Sequence, residues 1–325
     1  MSRLIITNGK SGVECIRGAG IDGDVISWDD VLHDGPVPGG YDLDVLSELR
    51  ARYISSVGWG VFEDVHFAFK QRDEAFSTIA DTEELVLFFE HDLYDQLQLI
   101  QILDLISNQV VTPSLLTIAR PTTYIGYSTP ESLREAFESR RGLSETDLFA
   151  AKAAWQAFTS ETPELLEEAM DREVAGLPDL TDALRRLAEE YPHHETELSR
   201  TEAAILDCLD KEPLRAGPLF RKVQEKEEAI FMGDWSFMLR LTQLAAGAQP
   251  LVFVIDGQVE PDLTSESGYA DLMTSTFGIT EAGRSVLRKK ARKSSYLEID
   301  QWIGGTHITV ASLWRWDPET STFYR

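Results

Sequence analysis

The chain has 325 residues, enough for two domains with substantial cores, and its 43% hydrophobic and 26% charged residues are ordinary for a globular protein. A net charge of −25 disfavours nucleic acids and anionic lipid surfaces as partners, and no apolar run is long enough to span a membrane. The N-terminus lacks the apolar run of a secretory signal, and the two cysteines, Cys15 and Cys208, fit a reducing compartment. We therefore expect a cytoplasmic protein.

Strands alternate with helices through the first part of the chain. RLIITNG predicts a strand, KSGVECIRGAG a short helix and DVISW a second strand, after which two amphipathic helices follow. LVLFF then predicts a third strand, LYDQLQLIQILDLIS a long helix and PSLLTIA a fourth strand, before a helix that opens at Thr129 and Pro130. This alternation indicates a parallel sheet with crossover helices, and we predict a Rossmann-like α/β domain over residues 1–142.

The remainder of the chain is mainly helical. Residues 143–194 are predicted to form a helical connector, whose first helix opens at Ser144. From residue 195 onwards, three predicted helices are followed by the strand PLVFVI, a loop and a terminal aromatic segment containing WIGG and WRWD. This order predicts a winged-helix-like α+β domain over residues 195–325, and we expect the tryptophans of the terminal segment to fasten it to that domain.

Polar loops follow the first three predicted strands, where the strand ends would share one edge of the parallel sheet. Ligands of open α/β sheets bind beyond the carboxyl ends of the strands, at the point where the strand order reverses. The three loops therefore predict one ligand pocket. Its candidate residues are Asn8, Gly9, Lys10, Ser11, Asp29, His33, Asp34, Glu90, His91, Asp92, Asp95 and Gln96.

The first loop, NGKSG, has the features of an anion cradle. Glycine allows a ligand to approach the backbone, and the N-terminus of the following helix offers free N–H groups. Lys10 would then hold the anion together with the amides of residues 9–12. The alternative is structural, with Ser11 serving only as the N-cap of the helix.

The third loop places three ionisable residues, Glu90, His91 and Asp92, directly behind an apolar strand. In an enzymatic form, His33 or His91 is the general base and Glu90 orients it. In the structural alternative, Asp92 is the N-cap of the following helix and Asp95 lies in its first turn. The two His-carboxylate pairs could hold a divalent metal, but no H-x-x-x-H or C-x-x-C spacing supports one. We assign no metal ligand and identify no cofactor.

Five stretches together resemble a bacterial family labelled "domain of unknown function 1835". They are HDGPVP with RARYI downstream, FFEHDLYDQLQLIQILD, WIGGTHIT and WRWD. The resemblance extends over the whole chain and implies family membership, but no particular chemistry. Members of that family often carry an acidic residue after the Asn-Gly of the first loop, where this chain has Lys10. The difference favours an anion-facing loop over a metal-binding one.

These features predict the binding, and in an enzymatic form the turnover, of a small phosphorylated ligand such as a nucleotide. The alternative is a regulatory adaptor whose C-terminal domain binds a protein or, less readily, DNA. DNA is the less favoured partner because the third helix of that domain has Arg240 as its only basic residue. The segment RSVLRKKARK, residues 284–293, is strongly basic, and we interpret it as a solvated helix end within an acidic chain.

Overall fold

The structure, a computed structural model, describes residues 2–109, 113–256 and 266–325. It is a mixed α/β protein. The α-helices are α1 (Gly9–Gly18), α2 (Leu43–Ser56), α3 (Phe62–Phe76), α4 (Leu93–Ser107), α5 (Pro130–Glu138), α6 (Glu145–Phe158), α7 (Glu164–Met170), α8 (Leu180–Ala188), α9 (Arg200–Lys211), α10 (Ala216–Gln224), α11 (Asp234–Ala245), α12 (Glu266–Thr274) and α13 (Glu281–Leu287). Among the described residues, no helix has the length and apolar character that crossing a bilayer requires.

The strands form one five-stranded sheet and three small ones. They are β1 (Arg3–Asn8), β2 (Asp24–Trp28), β3 (Gly35–Pro36), β4 (Glu84–Phe88), β5 (Leu115–Ala119), β6 (Arg141–Gly142), β7 (Leu214–Arg215), β8 (Val252–Asp256), β9 (Thr276–Ile279), β10 (Asp300–Gly304), β11 (Thr306–Thr309), β12 (Arg315–Asp317) and β13 (Thr322–Tyr324).

The large sheet has the order β2-β1-β4-β5-β6, in which the first four strands are parallel and β6 is antiparallel. The predicted parallel sheet is therefore confirmed. The chain passes from β1 to β2 on one side and then returns to β4 on the other side of β1. The strand order thus reverses between β1 and β4, which is where open α/β sheets bind their ligands.

Side chains alternate across this sheet, as the period of a strand requires. Ile5 and Phe88 belong to a smaller core beneath α1 and α5. Ile6 and Leu87 face the opposite side and join a larger core with α4. That larger core continues through α6 and α8 into the C-terminal helices, so the helices of the predicted connector share one hydrophobic core with the elements on both sides.

The C-terminal part contains the three predicted helices as α9, α10 and α11, and the predicted strand as β8. Its small sheet is antiparallel in the order β7-β9-β8. The loop expected between β8 and β9 contains the helix α12, and its residues 257–265 lie outside the described part of the chain.

The terminal aromatic segment returns to the first part of the chain. Strand β10 pairs in parallel with β3, and Val37 N donates to the carbonyl oxygen of Gly304 at 2.7 Å. Strand β12 lies beside the end of the connector, where Trp316 N donates to Pro192 O at 2.8 Å. The aromatic pattern predicted that this segment is fastened to the C-terminal domain, and it gave no indication of the pairing of β10 with β3.

Candidate functional site

The loops that follow β1, β2 and β4 meet at one edge of the sheet. The strand register places Asn8 beside Trp28 and Thr7 beside Phe88, so these three strands end together. The Asn8 amide nitrogen donates to the Asp95 carboxylate, which joins the first loop to the third. A Cβ atom built on Gly9 would lie 3.6 Å from Asp29 Oδ1, which places the second loop there as well. The predicted convergence of the three segments is therefore present.

Three carboxylates form the centre of this region, and we call Glu90, Asp92 and Asp95 the acidic cluster. They are 7%, 3% and 0% exposed, and each offers an oxygen within 4.8 Å of the others. One carboxylate oxygen of each accepts a main-chain N–H: Glu90 from Ile125, Asp92 from Asp95 and Asp95 from Glu90. Each side chain is therefore oriented by the backbone and keeps a second oxygen for other partners.

Local sequence explains why the cluster forms. The apolar strand β4 ends at Phe88, and α4 begins at Leu93 with Asp92 as its N-cap. Asp92 accepts from Asp95 N at 3.2 Å, so the predicted helix cap is confirmed. A cap normally lies at the surface, however, whereas this one is buried together with two further acids.

Burial is the main cause of unusual proton affinity in the cluster. It raises the pKa of Asp92 to about 7, with the nearby charge of Glu90 as the second cause. Burial, followed by the charges of Asp92 and Glu90, raises the pKa of Asp95 well above its ordinary value. The pKa of Glu90 is raised by burial against the opposing hydrogen bond from Ile125 N. At neutral pH the cluster can therefore retain protons, as a general acid requires.

Gln96 lies against the cluster. Its amide nitrogen donates to the main-chain carbonyl of Glu90 at 2.7 Å, and its side chain is 3% exposed. Its amide oxygen is buried and has no hydrogen-bond partner among the described residues. A buried acceptor without a donor is costly, so this oxygen is available to a ligand.

His91 lies at the margin of the cluster and is half-buried. Its ring contacts Tyr124, with 5.2 Å between the ring centroids. The Tyr124 hydroxyl accepts from Ile230 N, which links this margin to the C-terminal part, and burial and the charge of Asp92 raise the pKa of Tyr124 to about 12. His91 is therefore the histidine that the structure places beside the acidic cluster.

His33 and Asp34 do not join the acidic cluster. They are buried against α11, where Asp34 pairs with Arg240 and His33 Nε2 lies 3.3 Å from Ser236 Oγ. His33 Nε2 also lies 3.5 Å from Asp34 Oδ2, while its Nδ1 has no partner among the described residues. These are the residue types of a nucleophilic triad, but both contacts use the same ring nitrogen and Ser236 is only 2% exposed. The arrangement supports the packing of α11 rather than catalysis.

We expect His33 to make the fold sensitive to acid. Burial lowers the pKa of His33, and Arg240 and Arg50 act in the same direction, against Asp34 and Glu190. Between the unfolded value of about 6.5 and the lower folded value, only the unfolded chain binds this proton. The free energy of unfolding therefore falls as the pH decreases from about 6.5, by at most about 1.4 kcal/mol per pH unit.

The variant His33→Gln isolates this contribution, because the other titrating groups are present in both proteins. Denaturant unfolding at several pH values between 7 and 5 should give a flatter pH dependence for the variant than for the wild type. Parallel curves for the two proteins would show that His33 does not titrate on unfolding.

In the first loop, the structural alternative of Ser11 as the helix N-cap is wrong. Helix α1 begins at Gly9, which has a φ of +59°, so Ser11 lies inside the helix, is exposed and is not its N-cap. Asn8 makes no cap bond, because its side chain is used by Asp95. The first turn of α1 contains no acidic residue and therefore keeps N–H groups that an anion could use.

A groove of about 720 Å³ lies on the outer side of this first turn, between α1, β2 and α3. Its lining includes three cations, Lys10, Arg17 and Arg72, and three acids, Glu14, Asp29 and Asp64. The Arg72 side chain is nearly buried and its Nη1 atom has no hydrogen-bond partner among the described residues. The groove therefore has the size of a small-molecule site, and the Arg72 guanidinium, which pairs with Asp73 at 2.7 Å, keeps only its Nη1 donor for a further partner.

Sequence reasoning missed a buried polar framework behind the second loop. Arg50 is fully buried and binds the Asp30 carboxylate at 2.9 Å and the carbonyl oxygens of Val31 and Asp34. Helix α4 adds Gln98, which donates to Asp30 O at 3.0 Å. The available signal was the series Gln96, Gln98 and Gln101 in a helix that is otherwise mainly apolar, since such residues need polar partners when buried.

No protein-family model and no curated protein matches the chain. Among solved structures it is similar to the DNA-binding, cleavage and re-ligation domain of topoisomerase II from Plasmodium falciparum, with a TM-score of 0.42 and 11% sequence identity. The match covers 87% of this chain and 48% of that chain, so this protein spans about half the length of that structure. Nothing about fold or function follows from a likeness of this degree.

Proposed function

We propose that the first part of the chain is a Rossmann-like domain that binds a small phosphorylated ligand, such as a nucleotide, beside the first turn of α1. The observation that carries this proposal is the groove lined by Lys10, Arg17 and Arg72, with the unpartnered Arg72 Nη1. The phosphate would lie at the N-terminus of α1, where Gly9 and Lys10 offer backbone N–H groups and an ammonium group. The rest of the ligand would occupy the groove.

The acidic cluster would supply this ligand site with groups that can transfer a proton. Asn8 contacts the acidic cluster. The next residue, Gly9, lies beside Asp29, which lines the groove, so only the β1–α1 turn separates the cluster from the groove. Buried carboxyl groups that hold protons at neutral pH can act as general acids toward a leaving group. In an enzymatic form, Glu90 and Asp92 would exchange the proton and His91 would assist from the margin.

Ligand-dependent thermal stabilisation tests this proposal. The full-length protein is melted with nucleoside mono-, di- and triphosphates, with inorganic phosphate and with the unphosphorylated nucleosides. We expect a phosphorylated compound to raise the melting temperature where its unphosphorylated counterpart does not. Lys10→Gln should weaken this binding about tenfold, because it removes one charge-assisted hydrogen bond.

Lys70→Gln is the matched control, because Lys70 is an exposed lysine of α3 outside the groove. It should leave the affinity unchanged. The proposal fails if no phosphorylated compound stabilises the protein, or if Lys10→Gln and Lys70→Gln bind the ligand equally well. Once a stabilising ligand is found, release of phosphate or of a cleaved product by the wild type would distinguish an enzyme from a binding protein.

The alternative function, a regulatory adaptor with a winged-helix-like second part, is favoured by one observation. Helix α11 of the three-helix unit contacts the second loop of the first domain through Arg240 and Ser236. A ligand that moves this loop would therefore also shift α11 in the C-terminal part. The same contact occupies the helix that would have to enter a DNA groove.

We expect no appreciable binding of duplex DNA at physiological salt. Five of the six basic residues in the segment 284–293 form ion pairs within the chain, so few remain for contacts with DNA phosphates. The pairs are Arg284–Asp210, Arg288–Asp210, Lys289–Glu195, Arg292–Glu197 and Lys293–Glu202. Electrophoretic mobility shift with the full-length protein measures this. Sub-micromolar binding that disappears on neutralising Lys289, Lys290 and Lys293 would contradict the expectation.

A further inference from the structure

Within the described part of the chain, the acidic cluster differs from every other buried acid except Asp147 in having no arginine or lysine ion-paired with it. Among the described residues, the other buried carboxylates pair with an arginine or lysine, except Asp147. Asp147 instead accepts main-chain N–H groups from Ser144 and Gly176, both at 2.9 Å. The pairs are Asp30–Arg50, Asp34–Arg240, Glu84–Arg3, Glu190–Arg186, Glu197–Arg315 and Glu202–Lys293.

The cluster places three carboxylates together, and no lysine or arginine of the described chain forms an ion pair with any of them. Burying several like charges without a counter-ion is strongly unfavourable, so the arrangement requires either protons or a cation. The main-chain N–H groups of Glu90, Asp95 and Ile125 each hold one oxygen of a carboxylate. Such bonds orient metal ligands in known sites, and the Asn8 amide holds the second oxygen of Asp95 in the same way.

Gln96 supplies an independent sign of a ligand. It is 3% exposed, its amide nitrogen is fixed at 2.7 Å from Glu90 O, and its amide oxygen has no partner among the described residues. An amide oxygen is a good ligand for a hard cation and a poor neighbour for unneutralised carboxylates. The orphaned oxygen thus points to the same species that the three carboxylates require.

We propose that Glu90, Asp92, Asp95 and the Gln96 amide oxygen form a site for one divalent cation of the Mg²⁺ or Mn²⁺ class. Oxygen ligands of this kind suit Mg²⁺ and Mn²⁺, whereas zinc prefers histidine and cysteine ligands, which the four residues lack. This inference rests on the proposed function, because a cation here would neutralise the cluster beside the phosphate site and would itself bind phosphate oxygens. The cation would replace the protons that the cluster otherwise holds, so with the cation bound these carboxylates would act as its ligands and not as general acids.

Binding of Mn²⁺ alone tests the site, without any nucleotide. Electron paramagnetic resonance and calorimetry on the full-length protein should show one Mn²⁺ per chain, which Mg²⁺ displaces. Asp92→Asn and Glu90→Gln should each weaken the affinity at least tenfold, because each removes a charged ligand. Asparagine remains a good N-cap and glutamine keeps an oxygen for Ile125 N–H, so both variants should fold.

Asp104→Asn is the matched control, because it removes one carboxylate from the far end of the same helix, and it should bind Mn²⁺ like the wild type. If either cluster variant fails to fold, Gln96→Met provides the second test and should also weaken Mn²⁺ binding. The inference is overturned if the wild type binds no Mn²⁺, or if the folded cluster variants bind it as tightly as the control.

The outcomes also separate this inference from the proposed function. Mn²⁺ binding without stabilisation by any phosphorylated compound would keep the cation site and remove the ligand proposal. Stabilisation by a phosphorylated compound in a protein that binds no Mn²⁺ would keep the ligand proposal and remove the cation site. We expect a chelator to weaken ligand binding at least tenfold.

Discussion

Gly304→Ala should lower the free energy of unfolding by about 3 kcal/mol or more. Gly304 has a φ of +56°, which strains any side chain, and a Cβ atom there would overlap the carbonyl oxygen and the ring of Phe158. Neither neighbour can withdraw, because Phe158 ends α6 inside the core and its carbonyl accepts from Gly305 N at 3.0 Å. The added atom would therefore separate β10 from β3 and from α6. Denaturant unfolding measures the loss.

Gly18→Ala provides the control for this prediction. Gly18 ends α1, and a Cβ atom there would meet no atom within 4 Å. Alanine at this position should be neutral or stabilise the protein by up to about 1 kcal/mol, since it is a better helix former than glycine. Equal stability of Gly304→Ala and Gly18→Ala would contradict the close approach of β10 to α6.

Arg240→Met should destabilise the protein by about 3–5 kcal/mol, because it leaves the Asp34 carboxylate buried without a cation. Asp34 is 0% exposed and one of its oxygens already lacks a partner among the described residues. Burial alone would raise the pKa of Asp34, but Arg240 and His33 hold it below its ordinary value, so Asp34 is ionised in the folded protein. The free energy of unfolding at neutral pH measures the effect.

The double variant Arg240→Met with Asp34→Asn distinguishes an unpaired charge from lost packing. Removing the carboxylate as well should recover a large part of the stability, because no charge then remains buried. Lys211→Met is the surface control, since its pair with Asp207 is exposed, and it should change the stability by less than about 1 kcal/mol. A double variant no more stable than Arg240→Met would show that packing, not charge, dominates.

Contacts around the loop after β2 explain the role of several sequence motifs. HDGPVP and RARYI pack together, because Arg50 binds the carbonyl oxygens of the second loop and a Cβ atom on Gly35 would overlap the ring of Tyr53. WIGG pairs with the same loop through β10. These stretches therefore join the loop after β2 to α2 and to β10, whereas the EHD stretch contributes to the candidate site.

The local elements, and the edge of the sheet that carries the candidate site, could be predicted from the sequence. The strands β1, β2, β4 and β5 and the cap at Asp92 follow from short-range signals, namely apolar periodicity and the preference of aspartate for helix N-caps. The meeting of Asn8 with Asp95 follows from parallel strands whose carboxyl ends share one edge. Each of these inferences needs only neighbouring residues and one rule of sheet topology.

The tertiary structure alone decided which polar residues meet. His33 and Asp34 lie with Arg240 and Ser236, about 200 residues away along the chain, and no local pattern records such a contact. The same holds for β10 beside β3 and for the burial of Glu90, Asp92 and Asp95. Charge burial depends on everything packed around a side chain, whereas periodicity and capping depend on its neighbours in sequence. The place of the candidate site was therefore predictable, but the division of its predicted residues between two separate buried groups was not.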